Sequence, residues 1–103
     1  MQTATSQELK TKIDNGESFV IDFFATWCGP CKVLMGNMQK LAESGQELPV
    51  EMFKYDVDSN RELTSEMGIR SVPTVKIFKD GEVVKTNSGV LTQQQIMELM
   101  EQY

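Results

Sequence analysis

The chain has 103 residues, of which 40% are hydrophobic and 24% charged, with a formal net charge of −5 and no histidine. Two cores of half that size would bury too little surface to offset ordering entropy, so one domain over residues 1–103 is expected. Ordinary globular composition argues against disorder, no apolar run approaches the ~20 residues of a membrane span, and an acidic balance without a basic cluster argues against a nucleic-acid partner.

The opening residues, Met1 to Glu8, carry neither the basic nor the apolar region of a secretory leader, so the expected location is the cytoplasm. Thr5-Ser6-Gln7-Glu8 has the form of a capping box. Leu9 and Ile13 follow at helical spacing and Asn15-Gly16 is a stop, which predicts a first helix over residues 6–15. Any strand before it can only be short. Phe19 to Ala25 is apolar at nearly every position, the pattern of a strand covered on both faces. A second helix is expected from Cys28-Gly29-Pro30-Cys31 to about Glu43, with Leu34, Met38 and Leu41 as its apolar face. Cys31 lies one turn before Leu34 on that stripe and Cys28 one turn earlier, so the spacing predicts one inward and one outward thiol.

Val50 to Val57 reads as a further strand. Ser59-Asn60-Arg61-Glu62 has the form of a second capping box, opening a short helix with Leu63 and Met67 that stops at Gly68. Thr74 to Lys79, Asp80-Gly81, and Glu82 to Lys85 read as a hairpin. Thr92 to Gln95 is a third capping box, leading a last helix with Ile96, Leu99 and Met100 inward. Strands alternating with helices, followed by a hairpin and a helix, predict a three-layer α/β sandwich. Its early strands should be parallel and its hairpin should add antiparallel ones.

The absence of histidine removes Ser-His, Cys-His and His-metal chemistry together, leaving thiols, carboxylates and lysines. The two cysteines stand three apart, where the first turn of a helix brings Cα atoms within disulfide range. A thiolate is the nucleophile in thiol chemistry, and a helix N-terminus stabilises it through unpaired N–H groups and the macrodipole. Cys28, at the mouth, is therefore the candidate attacking thiol. Cys31, one turn inside, is the candidate resolving thiol. Gly29 leaves the approach open, and Pro30 fixes φ where a missing N–H costs least. Two incidental buried cysteines are the bland alternative. Structural zinc takes four ligands, more than one chain offers here, so a metal site would have to bridge two chains.

Asp22 is a carboxylate in the middle of the apolar strand. Burial should raise its pKa into a range useful for proton exchange with Cys31, the alternative being a carboxylate satisfied by backbone groups. Lys54 shares parity with Val50 and Met52 on the neighbouring strand and either offsets that charge or snorkels to solvent. Val72-Pro73-Thr74 reads as a strand boundary, with a trans peptide on general grounds. The seven methionines read as core filler.

Taken together, Val20-Ile21-Asp22-Phe23, Ala25-Thr26-Trp27-Cys28-Gly29-Pro30-Cys31-Lys32, Asp56-Val57-Asp58, Gly68 to Thr74, Phe78 to Gly81, and Ser88-Gly89 resemble the thioredoxin family in order and spacing over essentially the whole chain. The resemblance implies the thioredoxin fold, a five-stranded mixed sheet sandwiched between four helices. It implies a cis Pro73 facing the cysteine pair, a substrate groove formed with Val72 and Gly89, and a partly exposed Trp27 beside the disulfide. It implies a monomeric protein-disulfide reductase whose only redox group is the Cys28–Cys31 pair, with no added cofactor or metal. Electrons would come from NADPH through a thioredoxin reductase and pass to ribonucleotide reductase, peroxiredoxins and methionine sulfoxide reductases. Two positions depart from the family pattern. Gly36 replaces a proline five residues after the second cysteine, and Phe24 stands where many bacterial members have tryptophan. The competing readings are an oxidase or isomerase, a non-enzymatic subunit, and the bridging metal site.

Overall fold

The computed structural model describes all of residues 1–103. Along the chain run β1 (Gln2–Thr3), α1 (Ser6–Asp14), β2 (Phe19–Phe24), α2 (Gly29–Glu43), β3 (Glu51–Asp56), α3 (Arg61–Glu66), β4 (Thr74–Lys79), β5 (Glu82–Ser88) and α4 (Gln93–Gln102). The strands form one sheet in the order β1-β3-β2-β4-β5. β1 and β2 flank β3 in parallel, whereas β4 runs antiparallel to both β2 and β5. The expected mixed five-stranded sheet with four helices is what the chain adopts.

β2 is central because all six of its residues are buried. Its odd positions, Phe19, Ile21 and Phe23, pack with Leu9 of α1, Leu63 of α3, and Phe53 and Tyr55 of β3. Val20, on the other parity, packs with Leu34, Met38 and Leu41 of α2, Ile96 and Met100 of α4, and Val75 and Ile77 of β4. A sheet buried on both faces explains the unbroken apolar run, and the six-residue β2 places α2 directly after its C-terminal end. No helix is long and apolar enough to cross a membrane.

Two of the three expected capping boxes form as written, at Thr5 with Glu8 and at Thr92 with Gln95. The third does not. Asn60, with φ −150° and ψ 96°, is the N-cap of α3 and accepts from the Leu63 amide, while the Ser59 hydroxyl donates to the Asp56 carbonyl. Asn is at least as good a cap as Ser, and here it stands where the extended backbone meets the helix. At the hairpin, Asp80 and Gly81 both take positive φ, 53° and 82°, as a two-residue type I′ turn requires. A Cβ on Gly81 would lie 2.6 Å from the Ile13 carbonyl oxygen, so the turn also packs where only glycine fits. β5 extends to Ser88, past the expected Lys85, because its residues keep pairing with β4 up to Thr74.

Candidate active site

Cys28 is the N-cap of α2, with φ −96° and ψ 113°, and its Sγ accepts from the Cys31 amide at 3.2 Å. The sulfur therefore takes the place that a Ser or Asp oxygen holds in an ordinary cap. Pro30 stands in the first turn, where its missing N–H forfeits no intrahelical bond. Cys28 and Cys31 are joined as a disulfide with Cα atoms 5.3 Å apart. The spacing argument placed one thiol outward; in the structure Cys31 is fully buried and Cys28 retains only 5% exposure. Cys28 is covered because it packs in the same apolar cluster as Ala25, Val57 and Leu63. The Cys28 sulfur is thus reached at an edge, past exposed Gly29 and Pro30. A side chain at Gly29 would meet no protein atom within 4 Å, so the space above it is open to a partner.

Asp22 is completely buried, and neither carboxylate oxygen has a hydrogen-bond partner. Backbone satisfaction, the alternative reading, does not occur. Burial pushes its pKa up from 3.8 to about 7, with the Lys54 ammonium acting in the lowering direction. Lys54 is the register partner of Asp22 across the parallel β2–β3 ladder. Its Nζ sits 5.8 Å from the Phe24 ring centroid rather than in an ion pair, so Lys54 both snorkels and lends a distant positive charge. Val20 shares the parity of Asp22 and packs against α2, which places the carboxyl on the sheet face that α2 covers.

The segment before β4 meets the cysteines from the other side. The Val72–Pro73 peptide is cis, as the resemblance implied and the residues alone did not. The Val72 carbonyl oxygen lies 3.8 Å from Cys28 Sγ, close enough to accept from the thiol once the disulfide is opened. The Gly89 amide donates to the Pro73 carbonyl at 3.0 Å, so the loop after β5 is fastened beside the same segment. Trp27 is 73% exposed, and its indole N–H donates to Asp58 at 3.0 Å. A cleft lined by Trp27, Val57, Ile69, Arg70 and Val72 opens next to it. Asp58 belongs to the Asp56-Val57-Asp58 run, but its hold on the ring was not legible in the sequence. It lies 31 residues from Trp27, and no local pattern reports such a contact. No group of three or more His, Cys, Asp or Glu side chains is gathered as a bound metal would need.

The Thioredoxin family model matches residues 1–102. This chain belongs to the thioredoxin family. The thioredoxin of Bacillus subtilis is 37% identical over 101 residues, covering 97% of this chain and 94% of its own. That of Mycoplasmoides gallisepticum is 35% identical, covering 91% and 92%. Among solved structures, a mutant thioredoxin from Halobacterium salinarum superposes with a TM-score of 0.83 at 36% identity, covering all of this chain and 88% of that one. Fasciola hepatica thioredoxin gives 0.80 at 34%, covering 98% and 96%. With a redox-capable Cys28–Cys31 pair at a helix N-terminus, the chain is a thiol–disulfide oxidoreductase of the reducing kind. The glycine that replaces the family's helix proline, Gly36, sits in α2 without ending it, the helix being assigned from Gly29 through Glu43. Phe24 is buried in the core.

Proposed function

We propose that this member of the thioredoxin family is a general cytoplasmic protein-disulfide reductase, a one-domain monomer that maintains cell redox homeostasis by carrying electrons from a thioredoxin reductase to reductive enzymes. Ribonucleotide reductase, peroxiredoxins and methionine sulfoxide reductases are the expected acceptors. One solved structure bears on this class: that of the thiol-resolving mechanism in a yeast mitochondrial 1-Cys peroxiredoxin via glutathione and thioredoxin systems, 27% identical to this chain. No added cofactor or metal enters the reaction.

The observation that carries the reading is the Cys28 sulfur in the capping position of α2, taking the Cys31 N–H. In the dithiol form the same amide and the helix dipole favour a Cys28 thiolate, lowering its pKa from a free value of about 8.5. That thiolate attacks one sulfur of the substrate disulfide, a mixed disulfide forms, and the first substrate thiolate leaves. The Cys31 thiol then gives its proton toward Asp22, whose pKa of about 7 suits exchange near neutrality. The Cys31 thiolate attacks Cys28 Sγ and releases the second substrate thiolate. Two electrons have moved from the protein dithiol to the substrate. Lys54 tempers the Asp22 charge, Gly29 and Pro30 shape the approach to Cys28, and Trp27, Val72, Pro73 and Gly89 line the groove where the substrate segment lies.

Dithiothreitol-driven reduction of insulin tests this. The wild type should catalyse it, and Cys31→Ser should halt as a mixed disulfide through Cys28. A wild-type rate no faster than the uncatalysed background would sink the reductase reading.

A further inference from the structure

We propose that Asn37 is a positioning residue for protein substrates: through its hydrogen bond to Leu91 it ties the Gly89–Val90 loop to the helix that carries the dithiol. The proposal rests on the reading of Gly89 as part of the substrate groove.

Asn is a poor residue for a helix interior, because its amide competes for backbone groups. Asn37 nevertheless sits in the middle of α2, directly after Gly36, another poor helix former. Its side chain is not spent on its own helix. Nδ2 donates to the Leu91 carbonyl at 2.9 Å, a half-buried bond across 54 residues of sequence. Leu91 is the last residue before Thr92, the N-cap of α4, and its own side chain is buried against the α2–α4 core. The short stretch from Ser88 to Leu91 is therefore pinned twice. The Gly89 amide holds it to the Pro73 carbonyl, and Asn37 holds it to α2.

What those pins present is apolar. Val90 is 43% exposed, and Val33, one helical turn before Asn37 toward the disulfide, is 56% exposed. Val33 stands on α2 and Val90 in the Ser88–Leu91 stretch, the two elements that Asn37 joins. The partner that fits is an extended polypeptide segment with an apolar side chain near its target cystine. A small disulfide has no chain to lay on the loop and gains nothing from it.

The test compares Asn37→Ala, and the nearly isosteric Asn37→Asp that loses the donor, with wild type and with Val90→Glu. Each is assayed with insulin and with bis(hydroxyethyl) disulfide. The Asn37 variants should raise KM for insulin about five-fold at unchanged kcat, the scale of one net hydrogen bond, while the small-disulfide rate stays put. Val90→Glu should also raise KM for insulin. If Val90→Glu raises it and neither Asn37 variant does, or if the Asn37 variants slow both substrates alike, the positioning role is wrong and the groove reading survives. If Val90→Glu too leaves KM for insulin unchanged, the loop touches no substrate and both fall together.

Discussion

Asp22 concentrates the largest electrostatic strain in the protein, and its sign can be worked out. Unfolded, it titrates near 3.8; folded, near 7, because burial without a hydrogen-bond donor penalises the carboxylate. Below pH 3.8 it is protonated in both states and costs nothing. As pH rises from there through about 7, the unfolded chain ionises first, so stability is lost across that window and the loss levels off above it. The separation corresponds to about 4 kcal/mol at most. Asp22→Asn should therefore melt higher than wild type at pH 8, by a margin that shrinks toward zero at pH 4, while releasing substrate from the mixed disulfide more slowly. Urea titrations at the two pH values check the first part and single-turnover quenching the second. A constant margin across pH would mean that some other change, not the charge, is responsible. At this scale the sequence was half transparent. A lone carboxylate among Phe and Ile declares itself, and parity placed Lys54 beside it. The hold of Asp58 on the Trp27 ring could not be seen, because an Asp after a strand looks like any solvated residue until the fold brings the indole to it.

Elements were readable where their signals are local. The two Thr-led caps and the Asp80-Gly81 turn depend on residues within four positions of one another and formed as expected. Asn60 displaced Ser59 as a cap because both are good caps and only backbone geometry chooses between them. β1, two residues long, has too few positions to show a period. Two glycines with opposite environments make a paired test of these local rules. Gly36 is exposed in the interior of α2, and a Cβ there meets nothing within 4 Å. Gly36→Ala should accordingly stabilise by up to about 1 kcal/mol, or about 4–8 °C in Tm for a domain of this size. Gly81, with φ 82° and a Cβ site 2.6 Å from the Ile13 carbonyl oxygen, has no such freedom. Gly81→Ala should cost about 2 kcal/mol or more. Thermal melts of the two variants should move in opposite directions. A loss in Gly36→Ala would show that α2 needs flexibility at that point for its packing.

For the whole molecule, the disulfide and the fold act on each other. Folding alone brings Cys28 and Cys31 to a Cα separation of 5.3 Å, by capping α2 against the end of β2. In the unfolded chain the same bond restricts a four-residue loop, which by chain entropy is worth about 2 kcal/mol. Reduction returns that entropy to the unfolded state. Cys28 and Cys31 stand in one cluster with Ala25, Val57 and Leu63 in the disulfide form, and reduction is expected to leave that packing in place. Opposing this, the Cys28 thiolate proposed above would stabilise the folded dithiol form at the helix N-terminus, by about 0.3–1 kcal/mol. The disulfide form should then be the more stable by roughly 1–2 kcal/mol, with an unchanged denaturant slope because the same surface is exposed on unfolding. Urea titrations with and without dithiothreitol measure both quantities. A higher midpoint for the oxidised protein at equal slope fits a fold that merely holds the thiols together. A shallower slope on reduction would mean instead that opening the bond loosens α2. By linkage, whatever stability the disulfide adds to the fold, the fold adds to the disulfide against reduction, which sets how strongly a reductase must drive this protein before it can drive anything else.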